Sequence, residues 1–156
     1  YLLDQRKHKQ YNNGNIGHLW KIDSGDGRYY LSGVALSAVL GAMCSLGYAE
    51  YTGSGFSCKD GSPGDSVSHL NGVNGDFRYI AINNRHMNEL TYTSHKHFDW
   101  DKNVGFLNAL YKFGYKLFGS NPVKIKENKL LPHSKSWSGH NNHVHLHNFN
   151  PNLEDI

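Results

Sequence analysis

The sequence predicts one α+β domain on a small, mainly antiparallel sheet with two principal helices. Three observations carry that reading. Apolar residues recur at helical spacing over residues 32–46 and 101–113. Short runs bounded by Gly, Ser, Asn and Pro read as strands around them. The chain has 156 residues, 38% of them apolar and 13% aromatic, which is one domain's length with enough apolar surface for a core. No internal repeat or linker divides residues 1–156.

Taken in order, residues 1–30 are polar and turn-rich, with turns at Tyr11-Asn12-Asn13-Gly14-Asn15 and Ser24-Gly25-Asp26-Gly27. They are expected to wrap the domain and to contain short elements at most. Leu31, Val34, Ala35, Ala38, Val39, Ala42, Met43 and Leu46 form the stripe of the first helix, a core stripe, with Ser32 to cap it and Gly47 to end it. A strand is expected over residues 48–52, a Gly/Ser-rich loop broken by Pro63 over 53–66, and a strand over 75–82. Residues 83–98 read as a polar loop with one helical turn, its His86, His95 and His97 solvated. Asp99 or Asp101 caps the second helix, whose stripe is Val104, Leu107, Leu110 and Tyr111 and which Gly114 ends. A strand over 115–118 leads into the Ser120-Asn121-Pro122 turn, and a basic surface stretch over 124–135 precedes the last strand. Tyr29, Tyr30, Tyr48 and Tyr51 are expected in the core and sheet. Cys44 and Cys58, 14 apart, fit either a disulfide or two free thiols.

The formal net charge of +3, with both signs interspersed, favours an anionic partner such as bacterial cell wall and lacks the footprint of a nucleic-acid binder. No apolar run approaches the roughly 20 residues that span a bilayer. The chain opens at Tyr1 without a signal peptide and reads as a mature protein or an excised domain. A monomer is expected.

The chemistry concentrates near the C-terminus, where His140, His143, His145 and His147 are four of the chain's eleven histidines. Side chains alternate along a strand, so His143, His145 and His147 share one face while Val144 and Leu146 take the other. His69 approaches a second strand and Asp76 lies seven residues on, with glycines between them that permit a tight path. A terminal-strand histidine added to this pair gives three N/O ligands from two distant segments, the number that marks a catalytic rather than a structural zinc site. Two cysteines cannot build the closed thiolate cage. Arg78, two residues after Asp76 on the same face, suits either a bidentate contact to a substrate carboxylate or an ion pair at the rim. Ser68 is expected to hydrogen-bond near the ligands.

The pattern Ser68-His69-x-x-Gly72-x-x-x-Asp76 with His143-x-His145 resembles the LAS group of zinc peptidases. That group includes D-Ala-D-Ala carboxypeptidases and dipeptidases, lysostaphin-type endopeptidases and penicillin-insensitive murein endopeptidases. The seven-residue spacing argues against the lysostaphin branch, and His140-x-x-His143-x-His145 is most similar to the murein endopeptidase branch; the dipeptidases have Glu where His143 stands. The resemblance covers residues 64–147, the expected metal-site core. It departs at Ser66, where the murein endopeptidases have a histidine, and in lacking their several cysteines.

The resemblance implies the fold of that group and one Zn2+ per chain, bound by His69, Asp76 and His145. It implies His143 as catalytic base or transition-state stabiliser and His140 as a further active-site histidine. Arg28 is implied to bind a substrate carboxylate or an oxyanion. The implied activity is hydrolysis of peptidoglycan cross-link or stem bonds involving D-amino acids, endopeptidase rather than carboxypeptidase, in the periplasm or outside the cell. Peptidoglycan is the partner, with an inhibitor or immunity protein added if the chain is an antibacterial toxin. Two other classes are weighed against it. One is a non-catalytic zinc-containing binding module on the same scaffold, as in hedgehog-type domains. The other is a His-Asn-His metal nuclease, suggested by His140-Asn141-Asn142-His143; it needs a helix after the histidine strand, and only nine residues follow His147.

Overall fold

The computed structural model describes residues 1–7, 10–13, 16–22, 27–48 and 50–152. Capping at both ends sets the first helix, α1 (Gly33–Leu46). The Ser32 hydroxyl accepts the Ala35 N–H at 3.2 Å, and Gly47 adopts a left-handed φ of 67° that closes the helix. Its buried residues are Ala35, Leu36, Ala38, Val39, Ala42 and Met43; Val34, expected in the stripe, points outward and Leu36 points in. The second helix, α2 (Trp100–Lys112), is capped by the Asp99 carboxylate, which accepts the Lys102 N–H at 3.1 Å. Phe106, Leu107 and Leu110 face the core, whereas Tyr111, also expected there, is on the surface with its ring stacked on His133 at 3.8 Å.

The strands are β1 (Leu2–Asp4), β2 (Gln10–Asn13), β3 (Ile16–Ile22), β4 (Tyr30–Ser32), β5 (Glu50–Gly55), β6 (Gly75–Arg78), β7 (Tyr115–Ser120), β8 (Ser134–Ser136) and β9 (His143–Phe149). β1 and β4 form a two-stranded antiparallel sheet. The other seven lie in the order β2-β3-β5-β6-β9-β7-β8, antiparallel except at β3–β5 and β7–β8. This is a single α+β domain with a mostly antiparallel sheet. Among the described residues, no helix is long and apolar enough to cross a membrane.

Several elements differ from the sequence reading. The first 30 residues supply more than a wrap, because the seven-residue β3 is a full member of the main sheet beside β5. The expected turns at Gly14-Asn15 and over residues 24–26 lie outside the described residues. The strand expected over 48–52 begins at Glu50 and continues to Gly55, Ala49 lying outside the described residues. The strand expected over 75–82 stops at Arg78 because a side chain takes over the backbone of Ile80. Buried Asn103 accepts the Ile80 N–H at 3.0 Å and donates to the Ile80 and Asp99 carbonyls at 2.8 and 2.7 Å, which ties α2 to the end of β6. Cys44 and Cys58 are not joined by a disulfide.

The inner face of β6 and β9 is apolar. Phe77 and Val144 pair across the ladder, Gly75 pairs with Leu146, and the Phe77 ring meets Phe106 of α2 edge-on at 5.3 Å. Burying each of these large side chains contributes about 1.5–3 kcal/mol. Their strand neighbours, Asp76, Arg78, His143 and His145, therefore project from the opposite face.

His86, expected to be solvated, is buried in a 3-10 turn (Ile82–Met87) and ties that turn to β5. Its Nδ1 accepts the Ala81 N–H at 3.1 Å, which leaves the proton on Nε2 to donate to the Glu50 carbonyl at 3.3 Å. Burial pushes its pKa down against the opposing hydrogen bond to Glu50. The sign follows directly: the folded state resists a proton that the unfolded chain accepts at about pH 6.5, so His86 costs stability progressively as pH falls below about 6.5 and nothing above it. Thermal unfolding at pH 7.5 and 5.5 is expected to show a larger drop for the wild type than for His86→Gln; equal drops would remove His86 from that role.

Candidate metal centre

Three polar groups converge on the outer face of the sheet. Antiparallel pairing sets Asp76 of β6 directly opposite His145 of β9, and the loop before β6 brings His69 over them. That loop is held at several points. Asn74 donates to the Ser68 carbonyl at 2.8 Å, Tyr115 donates to the Val73 carbonyl at 2.9 Å, and the Asn71 N–H reaches the Gly61 carbonyl at 2.8 Å. His145 Nδ1 lies 2.8 Å from Asp76 Oδ1, His69 Nε2 lies 3.2 Å from the same oxygen, and the two ring nitrogens are 3.2 Å apart. Both histidines are buried and Asp76 is largely covered.

The outer hydrogen bonds decide what these atoms present to one another. His69 Nδ1 lies 3.1 Å from the Phe56 carbonyl, which only accepts, so that nitrogen carries a proton and Nε2 is the atom that faces Asp76. The Ser68 hydroxyl lies 3.2 Å from His145 Nε2 and fixes that ring from outside. Burial alone raises the Asp76 carboxyl, but hydrogen bonds from His145 and His69 and the charge of the neighbouring histidines outweigh it and hold the group below the usual carboxylate range. Asp76 is thus ionised, and the facing nitrogens must offer it positive charge, either as protons or through a shared cation.

The donor set fits a metal. Neighbouring ligand atoms on a first-row ion with bonds near 2.0–2.1 Å stand about 2.9–3.4 Å apart, and two imidazoles with one carboxylate form an N/O set with room for exchangeable positions. The spacings observed here are 2.8, 3.2 and 3.2 Å. His69, Asp76 and His145 are accordingly a group that could hold a metal ion.

Other residues expected at the site fall around this group. His143 Nε2 lies 3.8 Å from Asp76 Oδ2, while its Nδ1 donates to Asn142 Oδ1 at 2.7 Å, which leaves the Nε2 lone pair toward the site. Burial pushes its pKa down to about 4 against the pull of Asp76, so His143 is neutral at physiological pH. The His140 ring is 4.7 Å from that of His143, with Nδ1 donating to the Ser138 carbonyl at 2.9 Å. Arg28 Nη1 lies 3.4 Å from His69 Nδ1, at the back of that ligand. Arg78 pairs with His143 across β6 and β9. His147 shares the face of His145 but faces Asn74 at 3.4 Å and stays outside the three-ligand group.

His95 and His97, expected to be solvated, are half-buried with rings 4.8 Å apart; their loop is anchored at the rim by the Thr93 N–H on the Asn141 carbonyl at 2.9 Å. Trp137, which the sequence reading passed over, stands against His140, His145 and His147 with centroid distances of 5.5–5.6 Å. It fits there because the facing strand residue is Gly119: a Cβ at that position would meet the indole at 2.2 Å. A lone tryptophan three residues before a histidine run was the available signal.

Comparison with protein-family models and with curated proteins finds no match.

His69→Ala and His145→Ala are expected to lose the metal, whereas His143→Ala keeps it. Ser68→Ala should weaken metal affinity about 10–100-fold by freeing the His145 ring. Metal content by mass spectrometry after equilibration with limiting Zn2+ checks the series; equal loss in His143→Ala would place His143 among the ligands.

Proposed function

We propose that this chain is a zinc-dependent hydrolase of the peptidase class, and more particularly a peptidase of peptidoglycan acting on bonds that involve D-amino acids. One observation carries the reading: a buried two-imidazole, one-carboxylate ligand set lies beside a neutral histidine, His143, whose free lone pair faces it. A ligand set alone serves a structural ion as well; the adjacent base is what hydrolysis requires. The resemblance of the Ser68–Asp76 and His140–His145 motifs to the LAS group supports both the zinc and the substrate class.

His69, Asp76 and His145 would hold the zinc, which when bound would supply a nucleophile at neutral pH and polarise the scissile carbonyl. His143 takes up the proton released as the nucleophile adds and returns it to the leaving amine; its Nδ1 bond to Asn142 fixes the tautomer for that relay. Ser68 and the Phe56 carbonyl hold the two ligand imidazoles in orientation. His140 and Trp137 wall the side of the cleft along β9. Residues 111–135, with six lysines against one glutamate, add a basic surface suited to an anionic cell-wall polymer.

The test is mass spectrometry of muropeptides after incubation of purified peptidoglycan with the protein, with and without a zinc chelator. The expected result is chelator-sensitive conversion of cross-linked dimers to monomers, abolished by His143→Ala. Loss of a terminal residue from monomers would make the activity a carboxypeptidase. No change in any muropeptide, with zinc confirmed in the protein, would overturn the catalytic reading.

A further inference from the structure

Tyr79 is a buried polar residue that stands outside the ligand set. It follows Phe77 by two residues and joins it in the core, with its ring against Phe98 at 5.2 Å. A phenol in such a place needs a partner for its hydroxyl. The partner is 61 residues away: the hydroxyl donates to the His140 carbonyl at 2.8 Å. Burial pushes this phenol above its ordinary pKa, against the opposing pull of the Asn121 N–H and the Ser120 hydroxyl. It therefore stays a neutral donor at any working pH.

The His140 carbonyl belongs to the short segment that delivers His143 to the ligand set. Gly139 enters that segment at a left-handed φ of 84°, and a Cβ there would meet nothing within 4 Å, so packing does not hold the turn. Hydrogen bonds hold it instead. The His140 carbonyl accepts both the Tyr79 hydroxyl and the Asn121 N–H, the latter at 3.2 Å. The Asn141 carbonyl accepts the Thr93 N–H at 2.9 Å, and the Thr93 carbonyl in turn accepts the Lys124 N–H at 3.0 Å. Next along the chain, Asn142 Oδ1 accepts the His143 Nδ1–H at 2.7 Å, which leaves Nε2 facing Asp76 at 3.8 Å. Of these bonds to the His140 and Asn141 carbonyls, only the one from Tyr79 comes from a side chain. Tyr79 also lies three residues after Asp76, just beyond the end of β6. One run of chain thus carries a ligand and the group that fixes where the facing histidine segment begins.

We propose that Tyr79 is a positioning residue for His143, acting through the His140 carbonyl to keep Asn142 and the base in register with the ligand set. The role of His143 as base rests on the peptidase reading; the hydrogen-bonded path from Tyr79 to the segment does not. A proton-transfer group must stand within hydrogen-bond reach of its target, and a misplacement of about 1 Å costs about 100-fold in rate. Loss of one of the two bonds on the His140 carbonyl loosens the segment without releasing it, so the expected loss is smaller, about tenfold.

The experiment compares the zinc-loaded wild type with Tyr79→Phe and Phe98→Leu. Tyr79→Phe removes the hydroxyl alone; the ring stays, and the Asn121 N–H still serves the carbonyl, so the fold is kept. Phe98→Leu loosens the packing of the same ring and spares the hydroxyl, which makes it the control for a purely structural effect. The quantities measured are zinc content, melting temperature, the His143 tautomer from the NMR shifts of its two ring nitrogens, and kcat and KM on cross-linked muropeptides. Tyr79→Phe is expected to keep its zinc, to lose the single His143 tautomer, and to show about tenfold lower kcat at constant KM. Phe98→Leu is expected to melt at a lower temperature while keeping the single tautomer and the wild-type kcat. A wild-type tautomer in Tyr79→Phe, loss of its zinc, or an equal disturbance of the tautomer by Phe98→Leu would each overturn the positioning role. The tautomer is measured without turnover, so the two readings fail separately. A disturbed tautomer in Tyr79→Phe, where the wild type cuts no muropeptide, would leave the positioning role standing and remove the peptidase reading. Full-rate cleavage by Tyr79→Phe with an undisturbed tautomer would do the reverse.

Discussion

The antiparallel ladder between β6 and β9 is the constraint on which the rest of this molecule depends. It pairs Asp76 with His145 on one face and Phe77 with Val144 on the other, so the same backbone hydrogen bonds set the ligand spacing and the core packing. Because the side-chain period of a strand is two, a slip of one residue would bury Asp76 and His145 under α2 and turn Phe77 and Val144 toward water. The apolar face penalises such a slip by several kcal/mol, since two or more large side chains would lose their burial. Packing of Phe77 against Phe106 thus fixes the register that the polar face needs. The candidate metal site inherits its geometry from a hydrophobic contact on the far side of the sheet.

The polar face is costly for the fold on its own. A largely covered carboxylate, two buried imidazoles and a third imidazole within 3.8 Å are desolvated together, while the Phe56 carbonyl and the Ser68 hydroxyl engage the outer nitrogens of the two buried rings. A shared cation would remove that conflict by serving all three donors, and its binding energy would then double as folding energy for the sheet and the His69 loop. Around this point the structure uses few charges and many fixed dipoles: Asn74, Asn103 and Asn142 each hold a backbone or imidazole partner. Such neutral groups hold geometry without adding charge beside a site whose own charge matters.

Much of this was legible in the chain, and the legible parts share a cause. Both α-helices announced themselves through local signals: Ser32 and Gly47 at the ends of α1, and Asp99 before α2. The alternation in His143-Val144-His145-Leu146 named the two faces of β9, and His69, Asp76 and His145 do come together. What was hidden depends on long-range neighbours. The burial of His86 follows from partners 5 and 36 residues away, so its polar surroundings misled. β3 finds its place only beside β5, and nothing in residues 16–22 specified that partner. Trp137 needed the gap at Gly119 across the β7–β8 edge before its role as a wall could be seen. The outward turn of Val34 and Tyr111 shows the limit of periodicity on helices with broad apolar faces.

The position of β9 in the strand order has a consequence for how the molecule is made. The strand latest in sequence is inserted between β6 and β7, which pair with it on either side. His145 meets Asp76 and His69 across separations of 69 and 76 residues. Contacts of that range form late, because the chain must close long loops before any reward is gained. Until residue 145 has emerged and docked, the nascent polypeptide holds two ligands on one segment and no complete binding set. Docking of β9 and completion of the candidate site are thereby the same event. A partly synthesised chain therefore lacks the complete candidate metal site for as long as β9 has not docked.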